Sequence, residues 1–359
     1  MFDNFFSKKR IFVTGHTGFK GSWLLVFLHL LDAEVKGYAL APEEGDNLFD
    51  LIGGDNLCKS EINDINDLEK LNASIAEFCP DIVLHLAAQP LVRLSYEEPI
   101  NTYQTNVMGT AHILEAVKQL DYKCEVVCIT TDKVYENKEW DYPYRENDRL
   151  GGYDPYSSSK ACAEILISSF RQSFFNPGDY LGHQKSIASA RAGNVIGGGD
   201  WAKDRIIPDI IRAFNKDQPV EVRNPFAVRP WQHVIEPLAG YLRLAKLLSD
   251  QPKKYCEAWN FGPLMQDSIP VGKLVNIAIS EWGSGKMESP DNIKQPHEAG
   301  LLMLDVSKTM KHLKWKPVYN SEQAISKTIR WYKSVQEGAN PLEVCISQIK
   351  EYIADANLV

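Results

Sequence analysis

The sequence predicts an α/β protein built on a doubly wound parallel sheet, and three observations carry that expectation. A β-branched run from Arg10 to Thr14 ends in glycine and leads into apolar residues at helical spacing. Short apolar strands then alternate with helical stretches as far as Arg191. From Gly197 the rhythm breaks into shorter pieces divided by prolines at 208, 219, 225, 230 and 237, which marks a smaller mixed α/β lobe.

Each element follows from its own pattern. After the first strand, Trp23, Leu24, Phe27, Leu28 and Leu31 recur at helical spacing, giving strand, glycine turn and helix in succession. Further strands are expected at 34–40, near 57–61, and at 81–86, 125–130 and 186–191, with helices at 67–78, 101–119 and 156–174 between them. Such alternation demands parallel crossovers, with helices on both faces of the sheet. In the second lobe 206–214, 238–248 and 271–282 read as helices, 258–261 as a strand returning to the first sheet, and the last twenty residues as a surface helix. The chain divides accordingly into 8–196, 197–335 and a helical tail at 336–359.

Composition removes several classes of function. A chain of 359 residues, 44% hydrophobic and 24% charged, buries a core without staples. With 39 basic against 47 acidic residues and no basic tract, neither nucleic acid nor an anionic membrane surface is an expected partner. Seven scattered cysteines without a CxxC spacing suit a reducing cytoplasm, not a disulfide framework or a zinc ribbon. The eight histidines show no HxH or HxxxH pairing, so no metal is expected, and no apolar run approaches the ~20 residues a bilayer requires. The apolar run after Lys8, Lys9 and Arg10 breaks too soon for a secretion signal.

The turn after the first strand reads TGHTGFKG, with glycines at 15, 18 and 21. Small residues there let backbone amides approach a pyrophosphate at the helix N-terminus. The second strand ends Gly37-Tyr38-Ala39-Leu40-Ala41, with no acid to grip a ribose, which leaves NAD and NADP both open. Leu86-Ala87-Ala88-Gln89 supplies small residues where a cofactor would cross the fourth strand, and Asp64 suits an adenine contact while Asp67 suits a helix cap. Tyr156 and Lys160, four apart, share one helix face, and a lysine cation favours phenolate in a general base. Thr130, Thr131, Asp132 and Lys133 end the fifth strand at the carboxyl edge, where open sheets bind ligands. Repulsion between Lys133 and Lys160 would bring an ammonium toward the range of a usable base. Arg191, Asn194, Arg205, Arg223 and Arg229 lie near glycine-rich or proline-rich loops, where arginine suits bidentate phosphate contacts.

Together TGHTGFKGSWL (14–24), AAQPLVRLSYEEP (87–99), TNVMGT (105–110), GGYDPYSSSK (151–160), RAGNVIGGGDWAKDRIIPD (191–209) and RPWQHV (229–234) resemble the extended short-chain dehydrogenase/reductases. Within them the resemblance is to the nucleotide-sugar 4,6-dehydratases and runs from about residue 8 to beyond 330. It implies a Rossmann-type fold, NAD as cofactor, CDP-glucose as substrate, and a homodimer or homotetramer. Cofactor contacts are implied for Gly15, His16, Thr17, Gly18, Phe19, Lys20, Gly21, Asp64, Ile65, Leu86, Ala87, Ala88, Gln89, Asn106, Tyr156 and Lys160. Substrate contacts are implied for Gln89, Arg93, Asn194, Arg205, Arg223 and Arg229.

The implied chemistry is a redox-neutral dehydration. Tyr156 takes the proton of a 4-hydroxyl oriented by Thr131, with Lys160 holding the tyrosine, while hydride leaves carbon 4. The 4-ketone acidifies carbon 5, Lys133 removes that proton, Asp132 protonates the departing 6-hydroxyl, and hydride returns to carbon 6. Many dTDP-glucose dehydratases resemble this chain but carry Asp-Glu where it has Asp132-Lys133, so the lysine stands in for their carboxylate base. The product would enter deoxysugar biosynthesis for surface polysaccharide such as lipopolysaccharide O-antigen. A 4-epimerase would need no acid/base couple for eliminating water, and an NAD-sensing regulator could dispense with Tyr156 or Lys160. The dimer expectation also draws on helices 101–119 and 156–174, which carry more apolar residues than one buried stripe needs.

Overall fold

In the computed structural model, which describes residues 2–203, 205–222, 224–289 and 301–356, seven strands, most of them rich in apolar residues, form one sheet. They are β1 (Arg10–Thr14), β2 (Glu34–Ala39), β3 (Lys59–Ile62), β4 (Ile82–His85), β5 (Cys124–Thr131), β6 (Lys185–Ala192) and β7 (Ala258–Phe261). All pair in parallel, in the order β3-β2-β1-β4-β5-β6-β7. The strand order reverses between β1 and β4, and a ligand crevice opens beyond the carboxyl ends at such a point. Register sets Thr14 beside His85 and Thr131 beside Ala192 at that edge.

Both sheet faces are dry because side chains alternate along each strand. Ile11 and Val13 enter one core while Phe12 enters the other, and Val127 and Ile129 likewise oppose Val126 and Cys128. The helices that frame it are α1 (Phe19–Leu30), α2 (Leu68–Phe78), α3 (Val92–Glu97), then α4, in which Pro99–Tyr103, a π-helical turn Gln104–Met108 and Gly109–Lys118 run on, and α5 (Pro155–Ser173). After these come α6 (Ile206–Asn215), α7 (Ile235–Asp250), α8 (Val271–Trp282), α9 (Ser321–Gln336) and α10 (Pro341–Asp355). Leu71, Ile75, Ile113, Leu114 and Ile167 place α2, α4 and α5 on the Phe12 side. Trp23 to Leu28 of α1 and Leu238 to Leu248 of α7 cover the other.

The expected strand at 258–261 does return to the first sheet, beside β6. Three differences from the sequence reading have physical causes. The helix expected at 101–119 starts at Pro99, whose fixed φ suits a first turn, and is interrupted by the π-turn. The helix expected at 238–248 starts at Ile235 and, although it follows the glycine run, lies over β5 and β6. The C-terminal helix is docked as well as exposed, burying Cys345, Ile349 and Tyr352. The Tyr352 hydroxyl donates to Oε2 of Glu236 on α7 at 3.0 Å, and the Val318 and Tyr319 amides donate to its other oxygen at 2.8 and 2.7 Å. The linking run Gly197-Gly198-Gly199 is clamped: Trp23 Nε1 donates to the Gly198 carbonyl at 2.9 Å, and a Cβ on Gly198 would strike the Trp331 ring. The remaining strands among the described residues are two-residue pairings outside this sheet.

Candidate active site

At the end of β1, Gly15 has φ +72°, and a Cβ there would lie 2.8 Å from the Ala87 amide nitrogen, so only glycine fits. A Cβ on Gly21 would overlap the Gly15 carbonyl oxygen, which is how the turn and α1 come together so tightly. The twelve-residue α1 begins at Gly18 with no side-chain cap, leaving its first amides and positive dipole end for a ligand. This cradle fits the pyrophosphate of a dinucleotide. Between Lys36 and Lys59 no basic residue occurs while Glu43, Glu44 and Asp46 follow the second strand, so a ribose 2′-phosphate would meet like charge. The unphosphorylated NAD is the dinucleotide that suits these residues.

Around the cradle, Thr17 Oγ1 donates to the Leu40 carbonyl at 2.9 Å and Phe19 lies against Gly197. His16 is fully buried against Phe49, with Nε2 2.8 Å from Ser60 Oγ, and burial pushes its pKa down to about 4. Asp67 caps α2 by accepting the Lys70 amide at 3.1 Å, while Asp64 remains exposed at the β3 end beside buried Ile65 and accepts the Asn66 amide at 2.9 Å. The 86–89 segment is held by its backbone: Leu86 and Ala87 amides both donate to Thr14 Oγ1 at 3.1 Å. Gln89 spends its side chain within this frame, donating to Thr102 Oγ1 at 2.8 Å and to the Leu91 carbonyl at 3.1 Å. Asn106, on the π-turn, accepts the Gln89 amide at 2.8 Å and donates to Ser159 Oγ at 2.8 Å.

The catalytic candidates meet across β5 and α5. Asp154 caps α5 by accepting the Ser157 amide at 2.8 Å, Pro155 occupies its first turn, and Tyr156 and Lys160 follow on its inner face. The Tyr156 amide donates to Ser95 Oγ of α3 at 3.1 Å. Beyond β5, Thr131 Oγ1 donates to Asp132 Oδ1 at 2.9 Å, and Thr131 also touches the Tyr156 hydroxyl. Asp132 is buried and Lys133 half-buried in the turn that follows. A Cβ on Gly193 would lie 3.0 Å from Asp132 Oδ2 and 4.0 Å from Pro230, so the loops carrying Asn194 and Arg229 converge on this carboxylate.

Electrostatics at the cluster differ from the sequence reading in two respects. Burial dominates at Tyr156 and pushes its phenol up to about 12, Thr131 and Arg205 opposing and Asp132 assisting, where the sequence pattern predicted a lowered value. The lysine that feels Lys160 is Lys20, from the glycine turn: burial, Arg205 and Lys160 together bring it down to about 8. Burial also brings Lys160 to about 8, with Cys128 and Glu164 opposing, and its ammonium donates to the Ile129 carbonyl at 3.3 Å. Asp132 is raised by burial against the pull of Lys133, Thr131 and Lys20, which suits a carboxyl that must hold a proton to give it away.

The arginines sort differently. Arg205 pairs with Asp200 at 2.8 Å and its charge reaches Tyr156, so it faces the cluster. Arg93 lies exposed on α3, the helix that touches Tyr156, Arg229 Nη1 donates to its neighbour's carbonyl at 3.1 Å, and Arg223 lies outside the described residues. Arg191, at the end of the strand expected at 186–191, does not serve the adjoining loop as a phosphate ligand: it is buried, and its guanidinium meets Glu164 of α5 at 2.8 Å. Thr130 and Ser189 complete the Glu164 shell at 2.6 and 2.8 Å. Arg191→Ala strands that carboxylate and lowers stability by about 3–5 kcal/mol, read as a lower urea midpoint. The sequence reading missed Thr14, Ser95, Ser159 and His85, of which only the histidine ending an apolar strand offered a visible signal.

The GDP-mannose 4,6 dehydratase family model matches residues 12–328. The chain is 51% identical over 351 residues to CDP-glucose 4,6-dehydratase of Salmonella typhimurium, covering 98% of each. It is 26% identical to dTDP-glucose 4,6-dehydratase of Haemophilus influenzae, covering 90% of this chain and 97% of that one. Among solved structures, dTDP-glucose 4,6-dehydratase of Bacillus anthracis in complex with NAD superposes with a TM-score of 0.75 at 22% identity, covering 93% and 99%. A glycine cradle for NAD, a buried tyrosine and lysine on one helix and a match to this model over residues 12–328 leave one conclusion: the chain belongs to the GDP-mannose 4,6 dehydratase family, within the extended short-chain dehydrogenase/reductases.

Proposed function

We propose that the chain is an NAD-dependent hydro-lyase that converts CDP-D-glucose to CDP-4-dehydro-6-deoxy-D-glucose. The observation that carries this reading is the 51% identity, over almost all of both chains, to a CDP-glucose 4,6-dehydratase. When bound, NAD supplies the acceptor for hydrogen leaving carbon 4 and its donor to carbon 6. The protein's own groups move the protons. Tyr156, touched by Thr131, takes the proton of the 4-hydroxyl, and Lys160, one turn further along the same helix, supplies a cation to the site. The resulting ketone acidifies carbon 5, from which Lys133 removes the proton. Asp132, raised by burial, protonates the departing 6-hydroxyl. Asn194, Arg205 and Arg229 line the approach for the sugar diphosphate. An epimerase would have no use for Asp132 as an acid, which favours dehydration.

The test is a panel of nucleotide sugars scored by the alkaline absorbance of a 4-keto-6-deoxy product. CDP-glucose is expected to exceed dTDP-glucose and GDP-mannose in kcat/KM by about a hundredfold or more, since a site built to pair with one base leaves buried polar groups unpaired against another. Equal turnover of dTDP-glucose refutes the assignment of the base. The product supplies deoxysugar synthesis, and we place its use in surface polysaccharide such as O-antigen.

A second copy of the chain, in this reading, covers α4 and α5. Ile113, Leu114, Val117 and Ile167 turn into the chain's own core, whereas Met108 and Ile165 are 48% and 58% exposed and Ile100 is 70% exposed. Sedimentation is expected to give a dimer or larger at micromolar concentration, and Ile165→Glu to shift it toward monomer; a parental monomer contradicts this. Seven cysteines, none in a disulfide, support work in the cytoplasm, and no helix among the described residues is long and apolar enough to cross a membrane.

A further inference from the structure

A buried chain of hydrogen bonds runs behind the site, and donor counting fixes its direction. Thr14 Oγ1 accepts the amides of Leu86 and Ala87, so its own proton goes to His85 Nδ1 at 2.8 Å. The His85 ring is therefore the tautomer with hydrogen on Nε2, which donates to Thr110 Oγ1 at 3.1 Å. Thr110 passes its proton to the Asn106 carbonyl at 2.7 Å, the bond that accompanies the π-turn. Asn106 Nδ2 donates to Ser159 Oγ, and Ser159 donates to the Tyr156 carbonyl at 2.7 Å.

We infer that His85 is a positioning residue for the reaction, joining the strand ends that carry the cofactor cradle to the helix that carries Tyr156 and Lys160. The ring, on β4, bonds on one nitrogen to Thr14 at the end of β1 and on the other to Thr110 on α4. Burial lowers its pKa to about 3, so it stays neutral and the chain keeps one direction throughout the working pH range. The position therefore contributes geometry and no pH dependence. The dehydratase reading above is what gives this geometry a reaction to serve.

Two variants separate the halves of the link. In His85→Asn the amide oxygen still accepts from Thr14 but nothing reaches Thr110; kcat with CDP-glucose is expected to fall about tenfold, the worth of one buried hydrogen bond, while the NAD dissociation constant stays within about twofold. In His85→Gln the longer amide reaches Thr110 and leaves the Thr14 proton without an acceptor; NAD affinity, measured by calorimetry, is expected to weaken about tenfold with the smaller change in kcat. Adding Thr110→Val to His85→Asn should cost little more, because both cut the same link. Variants that do not split in this way overturn the inference, whether both stay parental or both lose kcat and affinity in step with a lowered thermal midpoint. A parental enzyme inactive on CDP-glucose would instead refute the substrate, and the calorimetric arm would still decide the role of His85.

Discussion

Tyr156→Phe lowers kcat by about a thousandfold, within the range for removing a positioned proton acceptor, with little change in thermal midpoint or NAD affinity. The ring is buried and its backbone is held by Ser95 and Ser159, so phenylalanine keeps every packing contact and loses only the hydroxyl that Thr131 touches. A phenol standing near 12 in the protein alone makes the same point from the other side. Ionising such a phenol at neutral pH requires positive charge nearby, the role this reading gives Lys160, so Lys160→Met should be nearly as damaging as the tyrosine change. A Tyr156→Phe enzyme with near-parental turnover removes the residue from the mechanism.

The second large effect separates oxidation from elimination. Lys133→Ala leaves Tyr156 and Lys160 untouched, so the first half of the cycle proceeds while loss of the carbon 5 proton stalls. Single-turnover mixing with CDP-glucose should show nicotinamide absorbance rising and persisting, with 4-keto-glucose nucleotide accumulating. Asp132→Asn should stall the same cycle at loss of the 6-hydroxyl, by about a hundredfold or more. Product formation by Lys133→Ala without a defect in carbon 5 proton exchange would assign the base elsewhere and leave the lysine as a charge near Asp132.

The centre of the sheet was legible in the sequence because strands such as Arg10–Thr14 and Ile82–His85 are short apolar runs bounded by glycine or polar residues. Even Ala258–Phe261, remote in sequence, was readable as a returning strand. Arg191 falls in a strand that the sequence places correctly, yet beside a glycine-rich loop it suggests a phosphate ligand; only the fold brings Glu164 of α5 against it. The π-turn was invisible because one extra residue per turn leaves an apolar pattern nearly intact. The Tyr156 phenol is raised because burial, which no spacing rule encodes, outweighs the Thr131 hydrogen bond and the charge of Arg205. Asp67 as a cap was recoverable from local chemistry alone.

The placement of β7 and α7 bears on how the chain is made. Ala192 ends β6, yet its neighbouring strand ends at Phe261, about 70 residues later, and the helix covering β5 and β6 lies between. At ribosomal rates of about 5–20 residues per second, the nascent sheet keeps an open edge and a bare apolar face for several seconds after β6 has emerged. The half that grips the dinucleotide is therefore no independent folding unit: a fragment ending at residue 196 would expose Val127, Ile129, Ala188 and Ala190 and present β6 as an unpaired template for aggregation.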